Sequence, residues 1–452
     1  MRFLLFLPIV ILFGCRCSGN NNKEDVNSEE DIVNDDAVDV VGEDAVTEDG
    51  ADIPSELDMN VDAGDFWDLE AVEFDSVIDQ LPPDCFTALD APLDLIPPDW
   101  EAVLPDRDST LCGGCCKQVT ISPYDSEGLY DVWGNYIVYK IRYDEGPGDN
   151  IRQIRFKNIN LDEEYVLQET VVNEETIPYL GYPAIFENII VYPYSYRISD
   201  DVRRCELIQV ELSSGTRETV YSFDIPSSGW CPGNYETIDL YGNYVVYGSN
   251  KNGDAGRQQI FLFNLETRDE IQLSEGSCCT GFPRLWKDYA VYFAWYTYSE
   301  EIYLYNIETG ETTNVTDDDF DGRRDQRLPA VWENQVVYMD GPYSDTEQNS
   351  DILFRDLGSG ETTSVCLNSA AQLRPDVFGD LIAWIDYRND PCPNIECRET
   401  NLDIYYYRIS TGREYQATSL DGVEGRPRIW ENRIFFIMRD STDVLSIFMK
   451  GL

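Results

Sequence analysis

The sequence predicts an all-β protein, a seven-bladed β-propeller, and a repeated segment is the first observation behind this prediction. A short apolar segment ending in an asparagine or aspartate, which we call the anchor, recurs at positions 135, 188, 243, 288, 334, 380 and 432. Successive anchors are 45 to 55 residues apart. A period of roughly 40–50 residues with several short strands per unit is typical of propellers. Seven copies favour seven blades over six or eight.

The second observation is the strand pattern within each repeat. In the fifth repeat, Leu328–Met339 reads as strand, tight turn and strand, and Asp351–Glu361 reads as a third strand with its turn. Glycine and asparagine suit the left-handed backbone of such turns. The last repeat stops after three strands, whereas an additional alternating segment, Lys117–Ser122, precedes the first. Joining these two in one blade would close the ring and remove its open edges.

The first residues predict an exported lipoprotein. Arg2 is followed by an apolar run, Phe3–Phe13, which is too short to span a bilayer but suits a signal-peptide core. The run ends in Leu-Phe-Gly before Cys15 and resembles the lipobox of bacterial lipoproteins. This resemblance implies a signal peptide over residues 1–14, a lipid on Cys15 and attachment to the membrane. Arg16 favours the outer membrane, and an ordinary secretory signal is the alternative.

An acidic tether is predicted over residues 15–110, followed by the propeller over residues 111–452. Residues 21–110 contain 29 aspartates and glutamates against only Lys23 and Arg107. Such a segment repels itself and buries too little apolar surface to fold. The net charge of the whole chain is −52, which argues against a nucleic-acid partner because phosphate binding needs a basic surface.

The cysteines fit an oxidising compartment. The chain has 13, and setting Cys15 aside leaves an even number, as expected where disulfides persist. The spacing suggests two bridges, Cys205 with Cys231 and Cys392 with Cys397. The cluster Cys112–Cys116 could instead bind a metal, but disulfides are favoured in an exported chain without histidine.

A binding face is expected where the long loops gather. In an antiparallel meander alternate connections lie at the same end, so the long loops share one face, and variable loops on a rigid scaffold usually carry binding. We expect a monomer that binds an envelope protein or a glycan there, although these side chains could merely cover an exposed rim. The candidate residues are Tyr194, Tyr196, Arg197, Trp230, Trp295, Tyr298, Tyr343, Tyr387 and Arg388.

Two hairpins carry a family resemblance. The segments Glu301–Thr316 and Asp403–Arg413 resemble blades of the TolB-like propellers of bacterial envelopes. The resemblance extends over roughly residues 117–452 and implies a propeller in an envelope protein. The chain departs from TolB in having seven repeats where TolB has six, and it lacks TolB's separate N-terminal domain. The partners of TolB are therefore not transferred.

One loop predicts a calcium site. Residues 317–325 follow the pattern D-x-D-x-D-G-x-x-D, which resembles the first nine positions of an EF-hand loop and the calcium loops of integrin-type propellers. Leu328 stands where an EF-hand has its glutamate, so we expect modest affinity and a structural Ca²⁺; a solvated acidic loop is the alternative. By this match the ligands are Asp317, Asp319, Asp321, the carbonyl of Arg323, and Asp325.

The absence of histidine excludes several enzymes. A Ser-His-Asp triad, a histidine zinc site and a histidine base are impossible, as are propeller lyases that coordinate metal through histidine. A carboxylate pair in the channel, with Asp239 and Asp376 as candidates, could still act as a glycosidase. We predict no catalytic residue and expect a lipid-anchored binding module. The alternatives are a carbohydrate-active enzyme and a surface structural protein.

Overall fold

The computed structural model describes most of the repeat region and little before it. The described residues are 102–103, 116–120, 125–144, 150–172, 178–233, 238–251, 257–275, 277, 279–295, 299–316, 324–342, 350–366, 368–390, 401–420, 422–439 and 445–452. Every regular element in these ranges is a β-strand, which confirms the all-β prediction. The same ranges contain no helix of the length and hydropathy that a membrane crossing requires. The predicted signal peptide and Cys15, most of the tether, and Cys392 and Cys397 lie outside them.

The strands form seven antiparallel sheets, one for each repeat. Two short strands, β1 (Ala102–Val103) and β2 (Cys116–Gln118), precede the repeats. Blades 1 to 3 contain β3 (Asp125–Trp133), β4 (Tyr136–Asp144), β5 (Asn150–Asn158) and β6 (Glu163–Val172); β7 (Tyr179–Leu180), β8 (Ala184–Phe186), β9 (Ile189–Arg197), β10 (Val202–Glu211) and β11 (Arg217–Pro226); and β12 (Ile238–Tyr241), β13 (Tyr244–Ser249), β14 (Gln259–Asn264) and β15 (Glu270–Gln272).

Blades 4 to 7 follow the same order from the channel to the rim. They contain β16 (Cys279–Trp286), β17 (Tyr289–Trp295), β18 (Glu300–Asn306) and β19 (Glu311–Asn314); β20 (Arg324–Trp332), β21 (Gln335–Pro342), β22 (Asp351–Asp356) and β23 (Thr362–Cys366); β24 (Gln372–Phe378), β25 (Leu381–Asp386), β26 (Asp403–Arg408) and β27 (Arg413–Gln416); and β28 (Val423–Trp430), β29 (Arg433–Arg439) and β30 (Leu445–Gly451).

The ring closes by the predicted exchange of strands. Strand β2 pairs antiparallel with β30, with Cys116 opposite Lys450 and Gln118 opposite Phe448, and forms the outer strand of blade 7. The N–H of Val119 donates to the carbonyl of Ile447 at 2.7 Å, and Val119 is buried. The prediction of seven blades closed by the N-terminal strand is therefore confirmed.

The outer edge of blade 1 gains a further strand. Ala102 and Val103 pair antiparallel with Tyr165 and Glu164 of β6. Two residues of the segment predicted as a disordered tether therefore form a β-strand that pairs with the propeller. Covering an outer strand in this way removes some of its unpaired backbone groups from solvent.

The core consists of apolar layers between neighbouring blades. Each of the seven blade junctions has its own cluster of buried side chains. At the junction of blades 7 and 1, for example, Ile137 and Ile141 pack with Phe435 and Ile447. Burying a large apolar side chain contributes roughly 1.5–3 kcal/mol, so face-to-face packing of the blades holds the ring together.

One predicted disulfide is confirmed. Cys205 on β10 is bonded to Cys231 beyond β11, with their Cα atoms 5.5 Å apart. Cys116 and Cys279 each take part in another disulfide. Cys366 is free and buried, and burial raises the pKa of its thiol to about 12, so it is protonated and unreactive at neutral pH.

Candidate functional site

The inner strands surround a central channel in three layers. Each inner strand runs toward the tight turn that contains its anchor, so residues at equal distances before the anchors share one level around the axis. We call these the aromatic layer, two residues before the anchor; the charged layer, four before; and the mouth, at the end that faces the long loops.

The aromatic layer is a closed ring of seven side chains. The centroids of adjacent rings are 4.3 to 5.8 Å apart all the way round. Two further contacts skip a blade, Trp133 with Tyr241 at 6.0 Å and Trp286 with Phe378 at 5.8 Å. The ring therefore narrows the channel at this level. Its members are Trp133, Phe186, Tyr241, Trp286, Trp332, Phe378 and Trp430.

The charged layer ties neighbouring blades together. Its residues, from blade 1 to blade 7, are Asp131, Ala184, Asp239, Arg284, Ala330, Asp376 and Arg428. Each aspartate accepts a hydrogen bond from a backbone N–H of the next blade: Ile185 to Asp131 and Leu285 to Asp239, both at 2.8 Å, and Ile429 to Asp376 at 2.7 Å. These carboxylates therefore have a structural role in every blade that carries one.

Arg284 bridges the two aspartates that the sequence offered as channel carboxylates. Its Nε donates to Asp239 at 3.0 Å and its Nη2 to Asp376 at 3.2 Å, and Nη1 of Arg428 lies 3.6 Å from Asp376. Burial opposes the charge of Arg284, but the neighbouring aspartates outweigh it and raise the pKa of the guanidinium. Glycosidase carboxylates must face each other across a substrate bond. Here a guanidinium occupies that position.

Asp131 differs from the other two aspartates because no arginine bonds to it at hydrogen-bond distance among the described contacts. Burial and the negative charge of Asp239 raise the pKa of Asp131 to about 6, although Arg428, the N–H of Ile185 and Arg284 act in the opposite direction. Its carboxylate is therefore ionised at neutral pH at a cost in free energy.

The mouth is a depression open to solvent, with about 460 Å³ of unfilled space when the solvent above it is included, and its rim is strained. Four residues on its rim, one in each of blades 4 to 7, have left-handed backbones with φ between 48° and 54°. Each precedes a proline and lies at a β-bulge of its inner strand. This conformation costs a residue other than glycine about 1–2 kcal/mol, and bulges redirect side chains. The four are Phe282, Leu328, Arg374 and Arg426.

The predicted binding residues of blade 2 lie close together. Tyr194 and Tyr196 on β9 have ring centroids 5.6 Å apart, and the hydroxyl of Tyr196 donates to Glu206 at 3.2 Å. Arg197 is opposite Arg203 in the register of β9 and β10. Burial and the charge of Arg197 lower the pKa of Arg203.

The other candidates on the long-loop face are spread around the ring. Trp230 is held by its backbone N–H, which donates to Asn250 at 2.6 Å. Trp295 and Tyr387 are only 8% and 2% exposed, so they offer little surface to a partner. Arg388 forms ion pairs with Asp386 and Glu414. Tyr298 and Tyr343 lie outside the described residues. None of the described candidates lines the mouth cavity, and their role in binding remains a prediction.

We did not predict the channel arginines or the aromatic ring from the sequence. A signal was available, because aligning the seven repeats on their anchors places an aromatic residue two positions before every anchor. The same alignment places Arg374 and Arg426 at one position and Arg284 and Arg428 at another.

The predicted calcium loop lies mostly outside the described residues, which include only Asp325 of its ligands. Asp325 is 2% exposed; its Oδ1 accepts the N–H of Glu300 at 3.1 Å and its Oδ2 accepts Nη2 of Arg327 at 3.2 Å. Both oxygens already have protein donors, so a Ca²⁺ in this loop would depend on the earlier ligands. Within the described part of the chain, no group of three or more acidic, cysteine or histidine side chains could hold a metal ion.

Comparisons with known proteins bear on the fold. No protein-family model and no curated protein matches the sequence. Among solved structures, an oligogalacturonate lyase in complex with manganese matches with a TM-score of 0.51 and 12% identity over 78% of this chain and 98% of that one. The β-propeller domain of the Trilobed protease from Pyrococcus furiosus matches with a TM-score of 0.50 and 10% identity over 71% and 93%.

TolB from Acinetobacter baumannii also matches, with a TM-score of 0.41 and 13% identity over 65% of each chain. This chain therefore spans less than two thirds of that TolB chain. Likenesses at such low identity show the fold alone. The described part of the chain is a β-propeller, as the TolB-like resemblance of its hairpins predicted, and its seven blades correspond to the seven repeats of the sequence.

Proposed function

We propose that the protein is a non-catalytic binding module whose partner engages the mouth of the channel on the long-loop face. The observation that carries this proposal is the strained rim, where four neighbouring non-glycine residues keep left-handed backbones around one cavity. Such strain persists only where the surrounding structure over-determines it, and it gathers at ligand sites. The aromatic layer narrows the channel beneath the mouth, and the partner would contact the mouth above it.

The charged layer favours binding over catalysis. Asp239 and Asp376 are engaged by backbone N–H groups and by Arg284. A carboxylate held in this way has little freedom to attack a sugar or to transfer a proton to it. The carbohydrate-active enzyme therefore remains the weaker alternative.

We propose that the module lies in the bacterial envelope, attached through a lipid on Cys15 and held at a distance from the membrane by the acidic segment. The lipobox resemblance supports this attachment. Metabolic labelling with a fatty-acid analogue should mark the parent and fail to mark Cys15→Ser. Equal labelling of the two proteins would contradict the anchor and leave an ordinary secreted protein.

A photo-cross-linker tests the binding face in the full-length protein. Phe282 at the mouth is replaced by p-benzoylphenylalanine, which keeps an aromatic side chain. The control is the same replacement of Tyr415, an exposed residue on the outer strand β27. On illumination of intact cells we expect a discrete cross-linked product from position 282 at the mouth and none from position 415 on the outer strand. Equal products from both positions, or none from the mouth, would refute the proposal.

A further inference from the structure

The channel has a second end, opposite the mouth, which we call the turn end. It is formed by the seven tight turns that join the two innermost strands of the blades, and all seven turns are among the described residues. In each turn one residue separates the aromatic layer from the anchor. These seven residues form the turn rim: Gly134, Glu187, Gly242, Lys287, Glu333, Gly379 and Glu431. The aromatic layer is therefore the first level of the channel that a ligand meets from this end.

The turn end gives a small ligand access to the aromatic layer. The seven aromatic side chains are half-buried, and the four charged side chains of the turn rim are exposed. A Cβ added at Gly134, Gly242 or Gly379 would meet no described atom within 4 Å. These glycines lie in blades 1, 3 and 6, so they leave open space between the charged turns.

The turn rim carries three glutamates and one lysine. Nζ of Lys287 pairs with Glu333 at 3.1 Å, and Nη2 of Arg433 lies 3.7 Å from Glu431. Glu187 forms no ion pair with another described residue. The turn rim of blade 2 therefore presents an exposed carboxylate that no described cation neutralises.

The charges of the turn rim act on the aromatic layer. Nζ of Lys287 lies 6.0 Å from the centroid of the Trp286 ring, so an ammonium group already lies against one member of the layer. Burial raises the pKa of the Tyr241 phenol; Lys287 opposes this shift, and neighbouring carboxylates of blades 2, 4 and 5 add to it. The rim charges and the aromatic rings therefore belong to one local environment.

We propose that the turn end binds a small quaternary ammonium compound, with the aromatic layer as its binding surface and Glu187 as its counter-charge. The negative face of an aromatic ring attracts cations, tryptophan most strongly, and four of the seven members of the layer are tryptophans. A quaternary ammonium group has no proton to donate. It therefore suits a site where rings make the contact and a carboxylate acts from the rim. This site goes beyond the proposed function, because it lies at the end of the channel opposite the mouth.

The test follows the intrinsic fluorescence of the full-length protein during titration with choline chloride, at constant ionic strength adjusted with sodium chloride. Four of the nine tryptophans belong to the aromatic layer, so a cation bound there should change the emission, and the change should saturate. The neutral isostere of choline, in which carbon replaces the nitrogen, should cause no saturable change.

Four variants locate the site. Glu187→Gln should weaken choline binding by about two- to fivefold and Lys287→Gln should strengthen it by a similar factor, the scale of exposed ion pairs. Both side chains are exposed, so both variants should fold. Phe186→Leu keeps an apolar side chain but removes a ring, and it should also weaken binding. The matched control is Glu311→Gln on the exposed outer strand β19, which should leave the affinity unchanged.

Thermal melts first establish that each variant folds as the parent does. The absence of a saturable change in the parent, or an equal response to the neutral isostere, would overturn the inference. It would also be overturned if Glu187→Gln and Lys287→Gln shifted the affinity in the same direction, or if neither shifted it. Cross-linking at the mouth does not depend on any of these results, so this site and the proposed function can fail separately.

Discussion

Replacing Asp131 with asparagine should stabilise the propeller at neutral pH. Asparagine keeps an oxygen that can accept the N–H of Ile185, which now bonds to Asp131 at 2.8 Å. It removes a carboxylate whose ionisation is opposed by burial and by the charge of Asp239. The substitution thus retains the bond between blades and eliminates the cost of the charge.

The magnitude follows from the pKa. In the folded protein the pKa of Asp131 is raised from 3.8 to about 6, and each unit corresponds to about 1.4 kcal/mol. The full shift would amount to about 3 kcal/mol, and access of water to the channel reduces the expected gain to about 1–3 kcal/mol. Because the folded pKa is the higher one, the contribution of Asp131 to stability is complete below pH 3.8 and is lost as the pH rises through about 6.

The assay is urea denaturation of parent and variant at several pH values, with disulfides intact. The variant should be the more stable at pH 7.5, and its advantage should vanish near pH 4. Asp239→Asn is the matched control, since Asp239 accepts the equivalent N–H bond from Leu285 but also pairs with Arg284. Losing that pairing should destabilise by about 1–3 kcal/mol. The reasoning fails if both variants shift in the same direction at pH 7.5.

Three further changes test the fold and the predicted metal. Deleting residues 117–122, which keeps the disulfide-bonded Cys116, should expose the edge of β30 and lower the melting temperature of the whole propeller, whereas deleting residues 25–95 should leave it nearly unchanged; equal melting of both deletions would contradict this closure. Replacing Cys205 and Cys231 by serine opens a bridge with a sequence separation of 26 and should cost roughly 3 kcal/mol in urea denaturation, while an unchanged midpoint would show that the bridge adds nothing. We propose that calcium binds the acidic loop: millimolar calcium should raise the melting temperature relative to chelator, with magnesium much less effective, and Asp319→Asn with Asp321→Asn should abolish the effect. Identical melting of the parent in chelator and calcium would leave only an acidic turn.

The architecture was predictable because the same strand pattern occurs seven times, and the agreement of the copies outweighs the ambiguity of any one of them. No single blade identifies a propeller, but seven anchors at steps of 45 to 55 residues do. Ring closure followed from a missing strand at one end and a surplus strand at the other, and β2 pairs with β30 as that count required. The disulfide between Cys205 and Cys231 was predictable because it spans one hairpin and its exit.

The candidate site was less predictable because it depends on the differences between the copies. Long loops suggested binding through Trp295 and Tyr387, yet both side chains are buried. An aromatic residue at the end of a loop can pack on its own blade as readily as it can face solvent. Sequence alone does not distinguish these outcomes, since both follow the same pattern of a large side chain beside a turn.

The charged layer shows why the chemistry of the channel requires the assembled ring. Arg284 in blade 4 reaches Asp376 in blade 6, which is 92 residues away in the chain. The intervening blade carries Ala330 at the equivalent position, and a small residue there leaves the path across blade 5 open. The contact between these two residues cannot be predicted from the sequence, because the distance between them is set by the closure of seven blades around one axis. An aspartate that resembles a catalytic residue in its own repeat thus becomes part of an ion pair, and the arginines of blades 4, 6 and 7 come together at the mouth only in the closed ring.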